Sequence, residues 1–227
     1  MSPLAPATPF RGLIGAFCTT VALMAVLWVV QVYNVVTDDS LLTHGISPRR
    51  ADELPDILSA PFLHFGFGHL IANTIALPAL CFLTATRGRA RFVGVSLVIT
   101  VVGGLGIWLT ASDNSNHAGA SILVFGYFGY LLVRGFVDRR LLDILTAFVI
   151  TATYGWSMLW GVLPVSVHVS WQGHLFGFAG GVAAAYAFRR RRDDPVHPRG
   201  KSPAGRRGAD TPGARPLSDE LKDLGLL

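Results

Sequence analysis

Charge is what this sequence has least of. Of its 227 residues only 15% are Asp, Glu, Lys or Arg, where a soluble domain carries about a quarter. The shortfall is gathered into runs: residues 12–37, 57–86, 92–112, 114–133 and 144–188 contain no charged side chain at all. Runs of that length exclude an ordinary soluble fold. Cysteine is nearly as scarce, with Cys18 and Cys81 both inside uncharged runs. Placed inside expected spans, they read as core fillers rather than a disulfide pair. No His-Glu-x-x-His string is present, which excludes the usual helical zinc-protease site. No acidic residue lies deep in a run, so an intramembrane ion relay also lacks its carboxylate. Lysine supplies only 2 of 19 basic residues, a bias that hints at a GC-rich bacterial genome.

What is present is enough apolar length for a bundle. A helix needs about 20 apolar residues to cross the hydrocarbon core, so the first four runs supply one span each. The fifth is 45 residues long and is broken by Gly161-Val162-Leu163-Pro164, which reads as a turn between two spans. The sequence thus predicts an all-α integral membrane protein of six transmembrane helices, at about 12–36, 64–86, 92–111, 117–135, 141–160 and 168–188. Residues 1–11 are a short N-terminal segment, 12–190 the membrane domain, and 191–227 a basic tail. The first run is too long for a signal-peptide core and ends in Val-Val-Thr-Asp-Asp rather than a small-residue cleavage site, so it is expected to remain as a span.

Orientation follows from the basic residues. With six spans, one side holds the N-terminus, the 87–91 and 134–140 loops and the C-terminal tail, and carries 17 of the 19 Lys and Arg. The other side has only Arg49 and Arg50, among Asp38, Asp39, Asp52, Glu53, Asp56 and Asp113. Positive residues stay on the cytoplasmic side, so both termini are expected there, in a multi-pass protein of the cell membrane, read as a bacterial plasma membrane. The basic excess then needs no nucleic-acid partner. Arg189–Arg192 is a stop-transfer flank and a weak contact for anionic lipid, and the Pro-, Gly- and Arg-rich tail is expected to be disordered.

Polar groups within spans carry the functional signal, because each is costly unless paired or solvated. Three places stand out: His69 and Asn73 in the second span, Asn116-His117-Ala118-Gly119-Ala120-Ser121 at the start of the fourth, and Ser170-Trp171-Gln172-Gly173-His174 at the start of the sixth. If the fourth span starts near His117 and the sixth near His168, Ser121 lies ~6 Å and His174 ~9 Å below the outer boundary, from the helical rise. His69 and Asn73 are one turn apart and share a face. His174, Gly177, Gly181 and Ala185 form one stripe, and small residues let a second helix approach closely. Gly119, Gly126 and Gly129 offer the same on the fourth span. Close packing would bring the Ser121 hydroxyl to the His174 imidazole, a nucleophile beside its base. With no carboxylate at that depth the pair is a dyad. His69, Asn73 and the backbone N–H of Ser121 are then suited to stabilise an oxyanion. The glycine stripes suit packing within one bundle and between copies alike.

These residues resemble the motifs of the rhomboid family of intramembrane serine proteases, over about residues 55–190. The family's His-x-x-x-Asn is His69 and Asn73, its Gly-x-Ser-Gly is Gly119-Ala120-Ser121-Ile122, and its Ala-His-x-x-Gly-x-x-x-Gly is Gly173-His174 through Gly177 and Gly181. The resemblance implies Ser121 as nucleophile, His174 as general base, and His69, Asn73 and the Ser121 amide as the oxyanion hole. It implies hydrolysis of single-span membrane protein substrates near the outer face, without metal or cofactor. Three departures stand out. Ile122 replaces the glycine after the serine, Gly173 replaces alanine, and the first outer loop lacks the family's Trp-Arg pair.

Two other functions compete. One is a catalytically inactive rhomboid-like protein that binds membrane clients, which Ile122 favours. The other is a transporter or metal site built from outer histidines. His64, His117 and His168 sit at the interface, where a solvated histidine costs little, and receive no role, although His117 is near enough to line the mouth of the site. Phe125 to Tyr130, with Trp156 and Trp160, read as core or lipid-facing. Trp171 reads as an interfacial anchor.

Overall fold

The structure is a computed structural model that describes residues 9–164 and 169–189. Its helices follow the uncharged runs: α1 (Pro9–Val36), α2 (Phe67–Ala85), α3 (Arg89–Thr110), α4 (Ser121–Asp138), α5 (Leu141–Gly161) and α6 (Trp171–Ala187). The first five are long and apolar enough to cross a bilayer. α6, at 17 residues, sits at the lower end of the spanning range. The expected tail and His168 lie outside the described residues.

Among the boundaries that differ from expectation by three or four residues, two bear on the site. α4 starts at Ser121 and α6 at Trp171, not at His117 and His168. Residues 118–120 are small and apolar, but the backbone of this segment pairs elsewhere. His117 forms an antiparallel bridge with Ile46 (His117 N to Ile46 O 3.1 Å, Ile46 N to His117 O 2.8 Å), and Gly119 N donates to Ala60 O at 2.9 Å. The depth of Ser121 therefore cannot be counted along a helix. It is the first helical residue after an extended descent.

α4 is the centre of the bundle. Twelve of its residues between Ile122 and Gly135 are buried, whereas α1 and α5 expose most of theirs. α1 turns Phe17, Val29 and Tyr33 outward, and α5 does the same with Phe148 and Trp156, as lipid-facing helices do. α6 packs between α3 and α4. Its small residues set the approach: a Cβ on Gly181 would collide with the Gly126 carbonyl, and one on Gly177 would come 2.6 Å from Ile122 O. Backbone thus meets backbone, as close membrane helix packing requires.

The starts of α2, α4 and α6 meet at one end of the bundle. There, residues 37–66 form three short 3-10 turns, Ser40–His44, Ala51–Ile57 and Ala60–Phe62, bound across the ends of α3 and α4. Arg49 pairs with Asp113 and donates from Nη2 to Ala111 O at 2.6 Å and from Nη1 to Leu109 O at 3.3 Å. This satisfies carbonyls left open at the α3 C-terminus. Asn116 Nδ2 reaches Leu42 O at 2.7 Å.

The opposite end is held by ion pairs. Arg134, expected in a loop, lies within α4 and is 3% exposed. Its guanidinium contacts Asp138 at 3.1 Å and Asp143 of α5 at 3.4 Å, and Arg87 also pairs with Asp143. A buried guanidinium is tolerable only when so paired. Cys81 is buried, but Cys18 is exposed, so only one of the two fills the core, and both are free.

Candidate active site

Ser121 is partly exposed and opens α4. Two backbone donors just before it are already spent. Gly119 N bonds Ala60 O, and Ala120 N donates to His64 Nε2 at 3.2 Å. Gly119 adopts φ +140°, which L side chains rarely accept, and a Cβ there would lie 2.6 Å from His69 Cε1 and 2.9 Å from His69 Nε2. Glycine is thus needed twice, for the bend and for the imidazole against it. Beyond the bend, the Ser121 amide finds no acceptor among the described residues. An unspent N–H at a helix start, at the positive end of the helix dipole, favours negative charge.

His174 is buried in the first turn of α6 and is oriented from α5. Its Nδ1 lies 2.7 Å from the Gly161 carbonyl oxygen. A carbonyl only accepts, so Nδ1 carries the proton and Nε2 of the neutral ring keeps its lone pair. Phe125 stacks on the ring at 3.9 Å between centroids and 8° between planes. Among the described residues no carboxylate bonds this ring, and the end of α5 takes that place with a backbone oxygen. A Cβ on Gly161 would press on Phe125 Cζ and come 3.2 Å from His174 Nδ1.

Asn73 is 7% exposed, and its Nδ2 is buried with no hydrogen-bond partner among the described residues. His69, one turn earlier, is half-buried and lies beside the Gly119 backbone, with Phe65 stacked on it at 6.3 Å. The structure therefore brings the segments of all four polar residues to one end of the bundle. It does not join Ser121 to His174: the Ser121 hydroxyl makes no hydrogen bond among the described residues. Such bonds are often long in unliganded enzymes and tighten with substrate. A cavity of about 20 Å³ touches Ser121, Gly119, His117, Ser170 and Gly173 but not His174. That is room for about one water molecule.

Ile122 borders the same small cavity as Ser121. Its side chain is 4% exposed and points into a notch that Gly103 leaves in α3, where a Cβ would strike Ile122 Cδ1. Gly103→Ala is therefore expected to destabilise by about 1–3 kcal/mol through overpacking, and Ile122→Ala by about 2–5 kcal/mol through the void it leaves. The double variant should lose less than the sum. Thermal unfolding in detergent measures this, and strict additivity would refute the fit. Ile122→Gly should bring no gain in any activity.

The sequence assigned His64 no role, yet it is fully buried against the bend before Ser121. Besides accepting from Ala120, it meets His69 edge-on at 5.1 Å, and its Nδ1 faces the Phe62 backbone without a well-formed hydrogen bond. Burial, with the neighbouring His69 second, lowers its pKa from 6.5 to about 4. The unfolded chain thus binds this proton more readily. Stability is fully present above pH 6.5 and is lost as pH falls from there toward 4. The loss is up to about 3 kcal/mol at 1.36 kcal/mol per unit. Unfolding midpoints at pH 7.5 and 4.5 measure it. His64→Gln, which keeps an acceptor for Ala120 N–H but does not titrate, should flatten the difference.

A helical bundle with these motifs at one end can be compared with known families. The Rhomboid domain model matches residues 51–191. The chain belongs to the rhomboid family. It is a multi-pass membrane protein of that family, and its relatives include several bacterial proteins. An uncharacterized protein of Mycobacterium tuberculosis is 40% identical over 176 residues, covering 74% of this chain and 73% of the relative. One of Mycobacterium leprae is 42% identical, covering 74% and 69%. A Bacillus subtilis protein, YdcA, named as a candidate rhomboid protease, is 26% identical over 76% of this chain and 87% of its own. Within this rhomboid chain, no group of three or more His, Cys, Asp and Glu among the described residues is placed to hold a metal.

Proposed function

We propose that this rhomboid chain is an intramembrane serine endopeptidase that hydrolyses single-span membrane protein substrates near the outer membrane face. In this reading six spans cross the plasma membrane with both termini in the cytoplasm, so the starts of α2, α4 and α6 open outward. The observation that carries the reading is the state of His174: the Gly161 carbonyl holds the proton on Nδ1, leaving Nε2 free to act as a base toward the neighbouring start of α4. Ser121 Oγ attacks the scissile carbonyl as Nε2 takes its proton. The oxyanion receives the Ser121 amide, Asn73 Nδ2 and a His69 N–H. His174 then returns the proton to the leaving amine, and water releases the acyl group by the same route in reverse. A helical substrate must unwind first, because helix carbonyls are shielded.

A second reading is a catalytically inactive client-binding rhomboid. The unmade Ser121–His174 hydrogen bond favours it, while the packing of the Ile122 side chain into the Gly103 notch weighs against it. Purified protein in detergent, given a single-span test substrate and a fluorophosphonate probe, separates the two. Cleavage, with the probe mapped to Ser121 by mass spectrometry, is expected. An unmodified Ser121 and an intact substrate would establish the second reading.

A further inference from the structure

The starts of α4 and α6 are tied together by a side chain that the chemistry above does not use. Ser170 caps α6: its hydroxyl oxygen accepts from Gly173 N at 3.3 Å, and its carbonyl accepts from His174 N at 3.2 Å. The same hydroxyl lies 2.8 Å from His117 Nδ1. The other ring nitrogen, Nε2, lies 2.8 Å from Ser115 Oγ, whose hydroxyl donates to Ser112 O at 2.5 Å. The protons can be placed by elimination. Ser115 has given its hydrogen to Ser112, so it accepts from His117 Nε2–H. Nδ1 is then the acceptor, and the Ser170 hydroxyl donates to it. This arrangement needs a neutral ring, and burial holds the His117 pKa below its ordinary value. The backbone of His117 is fixed as well, by its bridge to Ile46.

The register gives this bond its meaning. His117 stands four residues before Ser121, and Ser170 stands four residues before His174. On the far side of the pair, the two helices touch where Gly177 meets the Ile122 backbone. Ser121 and His174 thus lie between a fixed contact and the His117–Ser170 bond, and no hydrogen bond of their own holds them together. That bond ties the two helix starts on the outer side of the pair, and the Phe125–His174 stack joins the same helices at the pair itself. Displacements of about 1 Å at reacting groups cost on the order of a hundredfold in rate.

We propose that His117 is a positioning residue, a latch from the α4 approach to the α6 cap that sets how near His174 comes to Ser121. The proposal rests on the reading of Ser121 and His174 as a reacting pair, and its test has one measurement that does not. In hydrogen–deuterium exchange on the full chain in detergent, His117→Ala should speed exchange over residues 171–176 at least tenfold while α2 and α3 are unchanged. Unchanged exchange there would refute the latch. In fluorophosphonate labelling, His117→Ala and Ser170→Ala should each slow modification of Ser121 about ten- to a hundredfold, and the double variant should be no slower than the worse single. His117→Asn, whose Oδ1 can accept from Ser170, should recover part of the rate. Multiplying effects, or no recovery with Asn, would overturn the positioning role. If exchange rises but wild type is never labelled, the latch stands and the reading of Ser121 as nucleophile fails.

Discussion

Ser121→Ala is expected to abolish cleavage of a transmembrane substrate, and His174→Ala to lower kcat/KM at least a thousandfold. The reasons differ. Without the Ser121 oxygen no acyl intermediate can form, and the remaining donors have nothing to stabilise. Without His174 the hydroxyl remains, but its proton has no acceptor, and a positioned base contributes roughly 10²–10⁴ in rate. The loss should fall at the upper end, because the base serves both the attack and the departure of the amine. A thousandfold drop corresponds to about 4 kcal/mol in the barrier. Both variants should fold, since the Ser121 hydroxyl makes no hydrogen bond among the described residues and His174 gives up one bond to Gly161. Cleavage in proteoliposomes, followed with time, checks both. Cleavage that persists in Ser121→Ala would end the nucleophile assignment.

Asn73→Ala should cost 10²–10³ in kcat, about 3–4 kcal/mol, with KM nearly unchanged. The argument starts from an energetic oddity. A buried amide donor without a partner costs about 1–3 kcal/mol, and Asn73 Nδ2 is such a donor. An enzyme can use that arrangement if the missing partner arrives with the transition state, because the bond is then gained only there. Two results follow together. Asn73→Ala should lose rate without losing thermal stability, and Asn73→Asp should not restore it, because Asp would bring negative charge to the oxyanion. A rise in KM with kcat intact would instead place Asn73 in substrate binding.

Much of this was legible in the sequence, because absence of charge is a signal of length. The spans expected from the uncharged runs match the six helices to within three or four residues at each end, and the departures that bear on the site are the starts of α4 and α6. There hydropathy fails: residues 118–120 are small and apolar whether helical or extended, and only the bonds of residues 117–120 to Ile46, Ala60 and His64 reveal the second case. Ser121, His174, His69 and Asn73 announced themselves as polar groups in apolar surroundings. Their supports did not. The Gly161 carbonyl that orients His174 leaves no mark in composition, since every residue has one. Phe125 reads as core until it is found stacked on an imidazole. His64 and His117 look like solvated interfacial histidines, and their partners come from segments far away in the chain. Arg134 read as a loop charge because Asp143, which pairs with it, faces it only once the α4–α5 turn has formed.

The fit of Ile122 into the space left by Gly103 has a consequence for heredity. Volume at these two positions, one on α3 and one on α4, is shared, so neither can change freely while the other stays. A lineage that replaced the glycine after its serine with isoleucine would need the smallest side chain at position 103 beforehand, and a later methyl there would bar the way it came. The residue following the nucleophile is therefore poor as a lone diagnostic of activity: its meaning depends on a residue 19 positions earlier, in a different helix.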